Sequence, residues 1–353
     1  MSKTIHRENN FDFLRLLFSS LVIISHSFPL TGIREQEILM QVTNNQADFG
    51  GLSVKAFFII SGFLIFQSLE RSRSYTDYLW KRILRLFPAL LVMGIFILLV
   101  IALFLYKSDV PILENYSFLT YFPRVLSLFF LQGNIDGVFQ DLPYQTINGS
   151  LWTLCYEFSM YITISILFFV KNRRWRFYFL ALLFIIFFLL MNLYPAFLNK
   201  RLFSLLEMNS YNFYDLGIFF VAGALLTYVN FKATKIQKIL FYVFIVIIIL
   251  SVFFRFYSIA KYLFLPYIII YFGVSSTPVI NKIGTTIGDT SYGIYIYGWF
   301  VQQFLLETFQ LATYPLMIFS LLITFVLGYT SWHLVEKRAL TYKNFFQKTQ
   351  NDS

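Results

Sequence analysis

Four stretches of about twenty residues carry no charged side chain: 86–106, 177–199, 262–281 and 308–332. A helix needs about 20 apolar residues to cross the hydrocarbon core of a bilayer. Lipid offers no partner to an open backbone N–H or C=O, so segments of this kind cross as helices, whose backbone bonds are internal. The chain is therefore read as all-α, a polytopic transmembrane helix bundle. Composition excludes the other classes. Of 353 residues 58% are hydrophobic and 13% charged, against about 25% charged in an ordinary soluble domain. With 45 Phe and 24 Tyr the chain cannot stay solvated and disordered. Cys155 is the single cysteine, so no disulfide scaffold is available.

Further spans are interrupted by one or two polar groups: 12–30 (Arg15, His26), 49–69 (Lys55) and 150–170 (Glu157). Weaker ones cover 211–231, 239–254 and 288–309, which brings the total to about ten. The aromatic stretch 116–132 has Pro123 and Arg124 in its middle and reads as an interfacial or re-entrant helix. Lysine and arginine test this count. With the N-terminus inside, the inner segments hold 19 of the 28 Lys and Arg, and the outer segments, from Arg34 to Lys261, hold 7. Cytoplasmic loops carry such an excess, so both termini are expected to be cytoplasmic. The net charge of +10 then reflects topology, and no nucleic-acid partner is implied. The first 30 residues lack a small-residue cleavage site and are broken by Arg15, unlike a cleaved signal. Residues 1–345 are read as one membrane domain, with 346–353 a short cytoplasmic tail. No internal sequence repeat is evident, which counts against an inverted-repeat transporter.

Ionisable groups at membrane depth are costly and therefore informative. Four stand out: Arg15, His26, Lys55 and Glu157, with Asp12 at the entry of the first span. Arg15 and His26 are eleven residues apart, which puts them on one helix face, about 16 Å apart along the axis. A ligand that is long, anionic at one end and reactive at the other fits that stripe; a nucleotide with a thiol arm is such a molecule. Arg15 could instead snorkel and pair with Asp12 one turn earlier, and His26 could be a hydrogen-bonded interhelical histidine. Counted from their helix starts, Lys55 and Glu157 fall at about the depth of His26. That suggests one polar pocket, or alternatively a structural Lys55–Glu157 pair. His6, His26 and His333 show no metal-ligand spacing, so no metal is expected.

These segments resemble acyltransferase family 3, integral-membrane enzymes that move acyl groups from acyl-CoA onto extracytoplasmic sugars. The opening FDFLRLLFSSLVIISHS has the family's Arg-(ten residues)-His pattern at Arg15 and His26. GGLSVKAFFIISGFLI (51–66) resembles its second-span signature, and YLWKRILRLFPALL (78–91) its basic loop running into a proline-led helix. GSLWTLCYEFSMY (149–161) matches a Trp-x-Leu-x-x-Glu segment, GDTSYGIYIYGWFVQQ (288–303) a late Ser-Tyr-x-x-Tyr segment, and LVEKRAL (334–340) a closing Glu-x-Arg. Six motifs occur in the family's order from about residue 9 to about residue 340. Two positions depart from it: Gly298 stands where many members have His, and Lys55 where many have a neutral or acidic residue.

The resemblance implies a multi-pass enzyme of the bacterial inner membrane, with acetyl-CoA or another acyl-CoA as donor co-substrate and no permanently bound cofactor. The acceptor would be a cell-surface polysaccharide or glycolipid. Arg15, Lys81, Arg82 and Arg85 would bind the CoA phosphates, a task suited to arginine's bidentate geometry. His26 would be general base for a sugar hydroxyl, with Glu157 orienting the imidazole. Lys55 would pair with Glu157 or polarise the thioester carbonyl. Trp152, Tyr156 and Tyr161 would stack on sugar, unless they serve as membrane-interface anchors. The rival class is a membrane transporter or flippase of a lipid-linked sugar.

Overall fold

Asn10 and Thr31 pin the two ends of the first helix. The computed structural model describes residues 9–194, 208–232 and 234–345. Helix α1 runs from Phe11 to Leu30. At its start the buried Asn10 side chain donates to the Phe272 carbonyl (3.0 Å) and the Thr277 hydroxyl (3.0 Å). At its end Thr31 and Thr313 share a hydroxyl–hydroxyl bond of 2.7 Å. After the short α2 (Ile38–Val42) comes α3 (Phe49–Arg71), N-capped by the Asp48 carboxylate, which accepts from the Gly51 amide at 2.5 Å. Ser74 caps α4 (Tyr75–Val100) by accepting from the Asp77 amide at 3.0 Å. Such caps satisfy backbone donors that a helix start leaves open. The remaining helices are α5 (Tyr116–Ser127), α6 (Trp152–Ser165), α7 (Arg173–Leu193), α8 (Ser210–Leu225), α9 (Lys235–Phe253), α10 (Tyr257–Val274), α11 (Ile283–Ile287), α12 (Ser291–Phe309) and α13 (Thr313–Ser331).

The described chain is all-helical, and a helix occupies the place of each expected span. Eight of these are long and apolar enough to cross a membrane. The other two, α8 with 16 residues and α12 with 19, are the bundle's interior, buried along most of their length. Helices that meet protein rather than lipid can carry polar groups: α12 buries Gln302 and Gln303, and α8 buries Asp215. At the other extreme, Ser251 is the one buried residue of α9, whose flanks are apolar and exposed as lipid contact requires.

Helices α3 and α8 touch backbone to backbone. A Cβ on Gly62 would strike the Phe220 carbonyl oxygen, and one on Gly223 the Ile59 carbonyl oxygen. Small residues at membrane helix contacts permit this approach. Gly293 and Gly328 do the same for α12 and α13.

One local expectation is corrected. Pro88 does not start a helix; it lies inside α4, whose Ser74 cap draws the basic segment into the helix, so Lys81, Arg82 and Arg85 are helical rather than in a loop. Segment 116–132 forms the 12-residue α5, too short to cross a bilayer, with Tyr121 and Val125 buried and Tyr116 and Leu119 exposed on the other side. His6 and the tail 346–353 lie outside the described residues.

Candidate active site

Arg15 near the start of α1, with Lys81, Arg82 and Arg85 along the first three turns of α4, face one cavity of about 390 Å³. Three turns bring residues 81, 82 and 85 to one side of α4 because neighbours on a helix face are three or four apart. Arg15 and Arg85 converge on the same oxygen of Asp289, at 2.8 and 2.7 Å. Arg85 also lies 3.6 Å from Glu336, and Ser291 donates to Asp289 at 2.6 Å. Asp12 is a more distant partner of Arg15, at 3.7 Å. Lys81 is held by Asp77 at 2.7 Å. Arg82 donates one terminal nitrogen to Ser68 (3.1 Å), while its buried Nε has no hydrogen-bond partner. Glu157 lines this same cavity, where it accepts from Ser61 (2.8 Å) and from the Tyr161 hydroxyl.

His26, fifteen residues into α1, lines a second cavity of about 380 Å³ with Lys55, Trp152, Glu37, Asp48 and Asp215. Its ring meets the Trp299 ring edge to face, with centroids 4.9 Å apart, and its buried Nδ1 has no hydrogen-bond partner. Glu37 accepts from Ser25 (2.9 Å) and from the Phe49 amide (2.5 Å). Burial pushes the Glu37 carboxyl above the usual carboxylate range, against the opposing pull of those two donors. Asp215 accepts from the Tyr262 hydroxyl at 2.5 Å and has Lys261 at 3.7 Å. The two cavities meet at Val54 and Tyr295, which line both. Tyr295 is held there by bonds to the Ser150 carbonyl (2.8 Å) and the Thr153 hydroxyl (2.7 Å).

The structure thus joins Arg15, Lys81, Arg82 and Arg85, and separately joins His26, Lys55 and Trp152. Glu157 is not beside His26, and Lys55 and Glu157 form no pair. The cause is the sunken start of α6. Asn148, Ser150 and Leu151 are already buried, and Asn148 donates to the Ile296 carbonyl inside the bundle (2.7 Å). Counting from the helix start therefore places Glu157 too shallow. Its partner Ser61 lies six residues beyond Lys55, about 9 Å further along α3. Lys55 instead donates to the Gly51 carbonyl at 3.2 Å. Tyr156 does not line the cavity: it packs behind Trp152, with centroids 5.6 Å apart, and accepts from the Asn209 amide. Tyr161 faces the arginine cavity, away from Trp152. At Gly298 a Cβ would lie 3.0 Å from Ile23, so Ile23 occupies the direction in which a longer side chain would start.

Sequence reasoning missed Asp289, Glu336, Glu37, Asp48 and Asp215. Asp289 opens the segment GDTSYGIYIYGW and could have been sought as the partner of two buried arginines, because buried cations are paired. Asp48, immediately before an apolar run, carries a helix-cap signal that explains its local role and conceals its place at a cavity.

Two polar cavities, one cationic and one holding a histidine, set back to back among apolar helices, define a membrane enzyme site. The chain belongs to acyltransferase family 3, whose acyltransferase domain matches residues 8–333, so the molecule is a multi-pass membrane acyltransferase. It is 29% identical to an O-acetyl transferase of Shigella phage Sf6 over 345 residues, covering 96% of this chain and 97% of that one. It is also 33% identical to nodulation protein 10 of Rhizobium leguminosarum bv. viciae over 193 residues, 48% of this chain and 46% of that protein. No solved structure gives a significant match.

Proposed function

We propose that this enzyme transfers an acyl group, acetyl in the simplest case, from cytoplasmic acyl-CoA to a hydroxyl of an extracytoplasmic polysaccharide or glycolipid in the bacterial inner membrane. One observation carries the reading: the arginine cavity and the histidine cavity sit toward opposite ends of α1 and share a wall at Val54 and Tyr295. A donor and an acceptor held on opposite sides can meet only there. The O-acetyl activity named for the Shigella phage relative supports both the bond type and the acyl group.

In this mechanism the CoA phosphates lie against Arg15, Lys81, Arg82 and Arg85, with charge-assisted bonds as the main attraction. The pantetheine arm runs along α1 toward the shared wall. His26 takes the proton of the acceptor hydroxyl as its oxygen attacks the thioester carbonyl. The carbon–sulfur bond breaks, and the leaving CoA sulfur takes up the proton that His26 carries, which restores the neutral base. Asp48, in the same cavity as His26, supplies negative charge that offsets the imidazolium, and Glu37 lines that cavity too. Asp48 takes the part that the sequence suggests for Glu157. Lys55 stabilises the developing oxyanion, and Trp152 and Trp299 offer aromatic faces to a sugar ring.

The same reading sets ten crossings, with α8 and α12 among them, and both termini in the cytoplasm. Reporter fusions should place residue 350 inside; an outside position would reverse the donor and acceptor sides. The activity itself is tested with purified protein and labelled acetyl-CoA, together with mass spectrometry of surface glycans with and without the gene. Loss of one glycan acetyl group without the gene is expected. Unchanged glycans, with no CoA binding, would favour transport instead.

A further inference from the structure

Beyond residue 333, where the family match ends, the chain does not leave the bundle. After a π turn at Trp332–Glu336 and one helical turn at Lys337–Ala339, a 3-10 turn, Leu340–Asn344, folds back over α4. Two contacts hold it. Trp80 donates its indole N–H to the Tyr342 carbonyl at 3.0 Å, and the Trp80 and Phe345 rings stand 6.4 Å apart. The result is that Leu340 and Lys343 complete the lining of the arginine cavity.

The charges of that cavity are largely committed. Arg15 and Arg85 share Asp289, Arg85 reaches Glu336, and Lys81 is held by Asp77. Among the described residues, Lys343 makes no ion pair, and the buried Arg82 Nε is unpartnered. Among the described residues, then, Arg82 deep in the cavity is bonded to Ser68 but to no carboxylate, and Lys343 on the rim has no carboxylate either. We propose that the strap 340–345 is a wall of the donor site and that Lys343 pairs with a phosphate of the CoA nucleotide. The strap lies past residue 333, the last that the family model matches. The proposal rests on the acyl-CoA reading above.

The test measures affinity of the full-length protein in detergent for CoA and for dephospho-CoA, which lacks the 3′-phosphate. Lys343→Ala should weaken CoA binding about two- to fivefold, the scale of one exposed charge pair, and Lys343→Arg should restore most of it. Loss confined to CoA assigns the 3′-phosphate; equal loss with both ligands assigns the diphosphate; either supports the proposal. Trp80→Ala, which releases the strap, should shift affinity in the same direction. Lys343 is exposed and Trp80 is half-buried, so the unfolding temperature of each variant in detergent is measured beside its affinity, and only a variant that keeps it is compared. If the unmutated protein binds CoA and neither Lys343→Ala nor Trp80→Ala changes its affinity, the strap is not part of the donor site. If the unmutated protein binds no CoA, the donor reading itself falls, and the strap proposal with it.

Discussion

Arg15 on α1 and Asp289 at the foot of α12 form an ion pair of 2.8 Å across 274 positions of sequence. The same Asp289 oxygen holds Arg85 of α4, so one carboxylate ties three helices around the arginine cavity. Removing one member of a buried pair leaves the other charge uncompensated. Asp289→Asn should therefore destabilise the protein by about 3–5 kcal/mol, while Asp12→Asn, at a more exposed and longer contact, should cost less than about 1 kcal/mol. Thermal unfolding in detergent measures both.

Arg15→Ala should weaken acyl-CoA binding. His26→Ala should leave binding intact and lower turnover roughly 10²- to 10⁴-fold. The motive is their placement in different cavities at the two ends of one helix face. Equal loss of CoA affinity in two folded variants would contradict that division.

Glu157→Gln separates two roles. Glutamine can still accept from Ser61 and Tyr161, so the fold should persist. If the cavity receives the CoA phosphates as proposed, removing an anion from it should tighten CoA binding, roughly two- to fivefold. A large drop in turnover with unchanged CoA affinity would instead return Glu157 to the chemistry at His26.

The spans and the Arg15–His26 stripe were legible because each rests on periodicity or composition within one segment; Lys81, Arg82 and Arg85 stood out by charge, but as a loop rather than as part of α4. Glu157 was misplaced because depth was counted from a helix start assumed to lie at the membrane surface, whereas Asn148 and Leu151 are buried. Asp289 and Glu336 went unread for a related reason: a carboxylate beside ordinary loop or helix-end residues gives no sign that two arginines from distant helices will meet it. Tyr295 stood in a quoted motif, yet only the packing of α12 against the start of α6 turns it into a partition. Local pattern specifies the helices; which side chains face each other depends on axial offsets that no single segment encodes.

Val54→Trp adds bulk at the wall common to both cavities. CoA binding should be retained while transfer falls about 10²-fold, the scale of a small misplacement of reacting atoms. Paired binding and turnover assays check this; loss of both together would mean that the wall is part of the nucleotide site.

Gly62→Ala places a methyl against the Phe220 carbonyl, which belongs to backbone and cannot rotate away. The expected cost is about 1–3 kcal/mol, read as a lower unfolding temperature. A neutral result would show that α3 and α8 can separate.

That backbone contact also has a mechanical meaning. Helices α3 and α8 lock through Gly62 and Gly223, and α12 and α13 through Gly293 and Gly328. Each pair has no flexible side chain between its backbones to absorb sliding, so each behaves as a stiff plate. Val54 belongs to the first plate and Tyr295 to the second. The seam between the two cavities is where these plates face each other, so on the proposed acyl-transfer reading a small separation there would admit a group as small as two carbons without either helix pair being remade. On that reading, such a protein would pass a fragment of a molecule through a membrane while remaining a seal to everything larger.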